Sequence, residues 1–245
     1  MKQRTNVAAL CLAAAAFFAA SCNSGENKTS TASGTSDSST AKMETPSPMP
    51  SAPANATVLR IVHKVANFAK WKAAYDAHDS DRLAAGIHNY VIARGTEDSN
   101  TVLVALKMND VEKAKKWSGS PGLKERMTKG GVTGPVEKDF TTMVMNDTTS
   151  LQQMVRLSVI HKVKDWDAWK KVYDSDKQNR MDAGLTDRVL ARSVDDPHKV
   201  FLVFAVADVA KAKAFSTSKA LKDKMEQGGV EGAPEVFFYK IVQKY

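Results

Sequence analysis

The sequence predicts an α+β fold made of two tandem βαββαβ units, and three observations carry that expectation. A shift of 98 residues lays the chain over itself without a gap, and Val58 to Met145 against Arg156 to Gln243 gives 33 identities in 88 pairs. Each copy opens with a run alternating at period two and continues with aromatic residues at helical spacing. Each then shows two short apolar runs around a polar turn, a capped helical stretch and a last apolar run. A period this long exceeds that of solenoid repeats, so each copy should be a small domain.

The first run, Val58 to Val65, sets Leu59, Ile61, His63 and Val65 on one side, and its twin sets Leu157, Val159, His161 and Val163 there. That pattern predicts a half-buried strand. Asn67 and Asp165 follow as N-caps. Phe68, Trp71 and Tyr75, or Trp166, Trp169 and Tyr173, then form the apolar stripe of a helix ending at Gly86 or Gly184. The runs Tyr90 to Ala93 and Val102 to Met108 flank "RGTEDSN", where the twin has "RSVDDPH", and they read as a hairpin. Asp110 and Asp208 cap a second helical segment, and Ser120 followed by Pro121 restarts it. A glycine pair, Gly130 and Gly131 or Gly228 and Gly229, stops that helix; following a helix rather than preceding one, it is no phosphate loop. The last strand is expected near Asp139 to Met145 and Val236 to Val242.

The order βαββαβ is the ferredoxin-like pattern, an antiparallel sheet with both helices on one face. A unit so small leaves its other sheet face open, and the two copies can cover each other by packing sheet against sheet. The units are expected at 57–147 and 154–245, joined by "NDTTSLQQ". The residues "HKV", "DWDAW", "YD", the Arg94 and Arg192 positions and the "GGV" stops resemble the dimeric α/β-barrel superfamily. More narrowly, they are similar to proteins grouped near antibiotic-biosynthesis monooxygenases and stress-responsive α/β-barrel proteins. The resemblance covers nearly everything after residue 57 and implies an intramolecular dimeric α/β barrel, one chain standing for a homodimer. Haem-degrading members carry an Asn, Trp and His set that these repeats do not reproduce, so no cofactor is carried over.

The beginning of the chain reads as an export signal at 1–21. Lys2 and Arg4 precede an apolar run from Val7 to Ala20, too short to span a bilayer comfortably. Ala19, Ala20 and Ser21 before Cys22 resemble the lipobox of bacterial lipoproteins, with Ala19 where that pattern prefers Leu. The resemblance implies acylation of Cys22 and a membrane-anchored lipoprotein in the periplasm or outer membrane. Residues 22–56, rich in Ser, Thr, Ala, Gly and Pro, are expected to be a disordered tether, since they hold too little apolar area to offset ordering entropy. Only Cys11 and Cys22 are cysteines, so the remaining domain has no disulfide, thiol nucleophile or thiolate metal site.

The formal charge is +8, and +7 remains once the signal and tether are set aside. Lysines are interspersed with acids, which points to a solvated surface rather than to nucleic acid. The strands "TVLVALKM" and "KVFLVFAV" also lack the exposed basic and aromatic pattern of an RNA-recognition module.

His63 and His161 are the ionisable residues of most interest, being mid-strand and shared by the copies. One reading points them into the barrel as ligand or proton-transfer groups. The other makes them core histidines bonded to backbone or to Tyr75 and Tyr173. Arg94 and Arg192 could grip a carboxylate or enolate at the cavity mouth, or pair with Asp98 and Asp196; Arg82 and Arg180 lie late in the helix. Two histidines, one per unit, are too few for a zinc or iron site. The expected function is an envelope binding module for a small apolar or aromatic molecule or a protein partner. The alternative is a cofactor-independent monooxygenase- or isomerase-like enzyme with His as base and Arg as anion clamp.

Overall fold

The computed structural model describes residues 55–245. The signal, Cys22 and the tether as far as residue 54 lie outside the described residues, while Asn55 and Ala56, expected to end the tether, exchange backbone hydrogen bonds with Met143. The elements are β1 (Thr57–Val65), α1 (Phe68–Ala77), α2 (Asp79–Ala84), β2 (Ile87–Gly95), β3 (Thr101–Met108), α3 (Val111–Ser118), α4 (Pro121–Lys129) and β4 (Val132–Asn146). They are followed by β5 (Val155–Val163), α5 (Trp166–Ser175), α6 (Lys177–Asp182), β6 (Leu185–Ser193), β7 (Lys199–Val206), α7 (Val209–Ser216), α8 (Lys219–Gln227) and β8 (Val230–Lys244). Each boundary in the second set falls 98 residues after its counterpart in the first. Among the described residues no helix is long and apolar enough to cross a membrane.

All strand pairs are antiparallel, and the strands close into one barrel in the order β1-β3-β2-β8-β5-β7-β6-β4. Two seams join the units. The second half of β4 runs on past the end of β1 and pairs with β6, Met143 opposite Ala191. The second half of β8 pairs with β2 in the same way, Arg94 opposite Lys240. The sheets are therefore hydrogen-bonded edge to edge and not merely stacked face to face, which leaves no open sheet edge.

Local chemistry explains the helices. Asn67, Asp110, Asp165 and Asp208 accept from the backbone N–H three residues on, as do Ser120 and Ser218. The single first helix expected in each copy is interrupted at His78 and Asp176, and a short second helix runs to the turn at Gly86 or Gly184. The last strands are longer than expected because Gly134 and Gly232, at φ +73° and +70°, kink the backbone without ending the pairing.

Each sheet has two buried faces. Outward residues such as Leu59, Ile87 and Leu106 pack on Trp71 under the helices, as Leu157, Leu185 and Leu202 pack on Trp169. Inward residues such as Val62, Leu103 and Ile241 meet in the barrel lumen, as do Ile160 and Phe201.

Candidate functional site

His63 on β1 and His161 on β5 face the helices. Leu59, Ile61 and Val65 share the face of His63, and they belong to the core under α1. The His63 ring sits 5.5 Å from Trp71, centroid to centroid, and His161 sits 5.5 Å from Trp169. Trp71 and Tyr75, one helical turn apart, stack at 5.1 Å, and Trp169 and Tyr173 repeat that spacing. Of the two readings of these histidines, the one that points them into the lumen is not met, and their place is in the core under the helices. Period-two alternation identified the residues that share their side, but both sides of the strand are buried, so hydrophobicity did not say which one faces the lumen.

Each histidine opens onto a small pocket between helices and sheet. The first, of about 70 Å³, is lined by His63, Trp71, Tyr75, Arg82, Trp117 and Met127 among others. The second, of about 100 Å³, is lined by His161, Trp169, Tyr173, Arg180, Phe215 and Met225 among others. His63 is 4% exposed and His161 7%, and neither ring nitrogen of either residue has a hydrogen-bond partner. The bonds to backbone or tyrosine expected of a core histidine are therefore absent. The Trp117 indole N–H is likewise buried without a partner.

Burial lowers both imidazoles to a pKa of about 4. At neutral pH each ring is neutral, with one N–H donor and one lone pair that make no hydrogen bond. Burial also pushes the Tyr75 and Tyr173 phenols far above their ordinary range, so both keep their protons.

The arginine beside each pocket is Arg82 or Arg180. The Arg82 guanidinium lies over the Tyr75 ring at 3.8 Å and donates to the Tyr75 carbonyl, to Asn89 and to Asp79. Arg180 lies over Tyr173 at 3.8 Å, donates to the Tyr173 carbonyl and grips Asp187 through Nε and Nη2. These groups hold the tyrosines and the short second helices in place, and their donors are engaged.

Arg94 and Arg192 do not join the histidines. Arg94 donates to the Ser99 carbonyl across the hairpin and lies over Phe68 at 4.3 Å. Arg192 donates to the Pro197 carbonyl and lies over Trp166 at 4.6 Å. Nor do they pair with the hairpin acids, since Asp98 bonds Lys64 and Asp196 bonds Lys162. A His base with an Arg94 or Arg192 clamp is therefore not assembled in this structure. Among the described residues no group of three or more His, Cys, Asp and Glu is placed to hold a metal ion.

Trp117 was not singled out from the sequence. Its counterpart is Phe215, so comparing the copies directs attention away from it, and only the packing shows its N–H turned inward.

No family model matches the chain. No curated protein matches it either. Solved structures do. A protein proposed to be a monooxygenase from Fusobacterium nucleatum superposes with a TM-score of 0.51 at 12% identity, over 78% of this chain and 94% of the other. An anthrone oxidase-like protein superposes with a TM-score of 0.55 at 14% identity, over 79% and 93%. The fold is that of the dimeric α+β barrels. Both half-barrels lie in one chain, and each half carries its own His-Trp-Tyr pocket.

Proposed function

We propose that this protein is a binding module that holds small apolar or aromatic molecules in its two helix–sheet pockets. The observation that carries the proposal is a neutral histidine, present in both units, with both ring nitrogens buried and unpartnered against a Trp-Tyr stack. A buried polar group without a partner costs about 1–3 kcal/mol, and a bound molecule with one polar atom would recover part of that. At about 70 and 100 Å³ the pockets are smaller than the roughly 150 Å³ cavity that admits benzene, so each would take a small molecule or the tip of a larger one, with the rest at the open mouth. Trp and Tyr would supply the apolar walls, and the histidine would fix orientation. The 98-residue correspondence of every element supports an origin by duplication.

The beginning of the chain supports an exported, lipid-anchored setting through Cys22. Such a module would meet its ligand in the periplasm or at the outer membrane. If Cys22→Ser leaves the protein in the membrane fraction, the anchor assignment is wrong.

A second reading, a cofactor-independent oxygenase or isomerase working in the same pockets, is supported by the free imidazole lone pair. The proteins that share the fold at 12% and 14% identity include one proposed to be a monooxygenase and one anthrone oxidase-like. An imidazole with a pKa of about 4 is a weak general base at neutral pH, which favours binding over proton abstraction.

Native mass spectrometry of the protein purified from its own cells tests the proposal. The expected result is a co-purifying small molecule, up to two per chain, that is lost in the His63→Leu, His161→Leu double variant. A bare mass, with no response of tryptophan fluorescence to indole, toluene or naphthol, would contradict it.

A further inference from the structure

The two faces of the sheet differ in what the copies share. Facing the helices, His63, Trp71, Tyr75 and Arg82 recur as His161, Trp169, Tyr173 and Arg180. Facing the lumen, the copies share Val91 and Val189 but differ at charged and polar positions: Arg156 stands where the first unit has Val58, Arg188 where it has Tyr90, and Tyr239 where it has Thr141. Arg60 in turn stands where the second unit has Ser158. Chemistry in the lumen is therefore present once per chain.

These residues surround a cavity of about 250 Å³, to which all eight strands contribute. By the same measure one water needs only about 15 Å³. Its walls are largely apolar, Val91, Leu103, Ala105, Phe201, Val203 and Ile241 among them. Its charged lining side chains are Arg60, Arg156, Arg188 and Lys244 against Asp147 alone.

Two of the arginines are neutralised. Arg60 pairs with Asp139 at 2.8 Å, and Arg188 pairs with Asp147 at 2.9 Å while donating to the Thr149 carbonyl. Arg156 is not. It is 3% exposed, and its Nη1 donates to the Gln153 and Val155 carbonyls. Among the described residues its Nε and Nη2 have no partner and no carboxylate lies within salt-bridge distance. A buried guanidinium with one edge free presents a two-pronged donor that fits a carboxylate. Tyr239 is the cross-strand partner of Arg156, and burial raises its phenol to about 12, so it remains a donor. The opposite end of the barrel carries Glu97, Asp98, Glu137 and Glu235, of which the first three pair with Lys213, Lys64 and Arg60. The end beside Asn146, Thr148 and Tyr245 carries Lys244, a cation suited to anion entry.

We propose that the barrel lumen is a second binding site, distinct from the helix–sheet pockets, that takes one small carboxylate with an apolar body on Arg156. The carboxylate would meet the free edge of Arg156 beside Tyr239, with its apolar part among Leu103, Phe201 and Ile241. This reading stands independently of the one for the helix–sheet pockets.

Calorimetric titration of the full chain in mild detergent with phenylacetate, phenylacetamide and inorganic phosphate tests it. The expected result is one phenylacetate per chain, bound at least tenfold more weakly by Arg156→Leu and unaffected by His63→Leu with His161→Leu. Phenylacetamide should bind far more weakly. Ligand-free Arg156→Leu should melt no lower than the parent, because an uncompensated buried charge has been removed. Val203→Phe fills the lumen without touching a charge and should abolish binding should Arg156→Leu fail to fold. Equal binding of the amide, two phenylacetates per chain insensitive to Arg156→Leu, phosphate binding as tightly as phenylacetate, or no binding would each overturn the proposal. So would an Arg156→Leu variant with a lowered melting temperature and unchanged affinity.

Discussion

His63 and His161 carry a pH dependence whose sign follows from burial. Their imidazoles titrate at about 4 in the folded protein and near 6.5 when unfolded. The unfolded chain therefore binds more protons between those values, and stability falls as pH drops from 6.5 to 4. The loss is on the order of 3 kcal/mol per histidine by linkage. Replacing both by Leu should flatten urea-denaturation stability across that window relative to the parent, leaving only the carboxylate contribution. A parent profile as flat as the variant's would mean the rings are solvated. At this scale the sequence showed which residues the copies share and hid which way they face. A lumen arginine such as Arg156 follows the same alternation as a solvent-facing one, because both interrupt an apolar strand. Only closure of the barrel makes it buried.

The elements were more legible, because their ends are set by local bonds. Six side-chain caps foreseen or implied by the repeat are made, and the glycine stops follow their helices. Asp165→Ala and Asp208→Ala should each cost about 1 kcal/mol in urea denaturation, whereas Asp165→Asn should cost little. Equal loss in the Asn and Ala variants would point to charge instead of capping. What the sequence obscured was the reach of β4 and β8. Gly134 with Pro135, and Gly232 with Pro234, are strong turn signals, yet here they mark a kink within a continuing strand. The break at His78 and Asp176 has a weaker signal, the Ser, Asp and Asn residues around it, with no Gly or Pro to mark it.

For the whole molecule, the seams between β4 and β6 and between β8 and β2 decide the behaviour. Each unit's terminal strand spends its second half in the other unit's sheet, so neither unit closes its lumen face alone. The protein should unfold in one transition, with far-UV and near-UV signals coincident. Two resolved transitions would show that the units fold separately. Closure also separates two kinds of site: paired pockets outside the barrel, whose His, Trp, Tyr and Arg the copies share, and a single lumen inside it, whose arginines they do not. The central claim is that the paired histidines contact a ligand directly. Nitrogen-15 spectra of the histidine side chains in the full chain, recorded with and without indole, test that most directly. Two neutral imidazoles, those of His63 and His161, should shift together on saturation while His88 and His198, which line neither pocket, stay in place. Unchanged His63 and His161 signals at saturating indole would contradict the account.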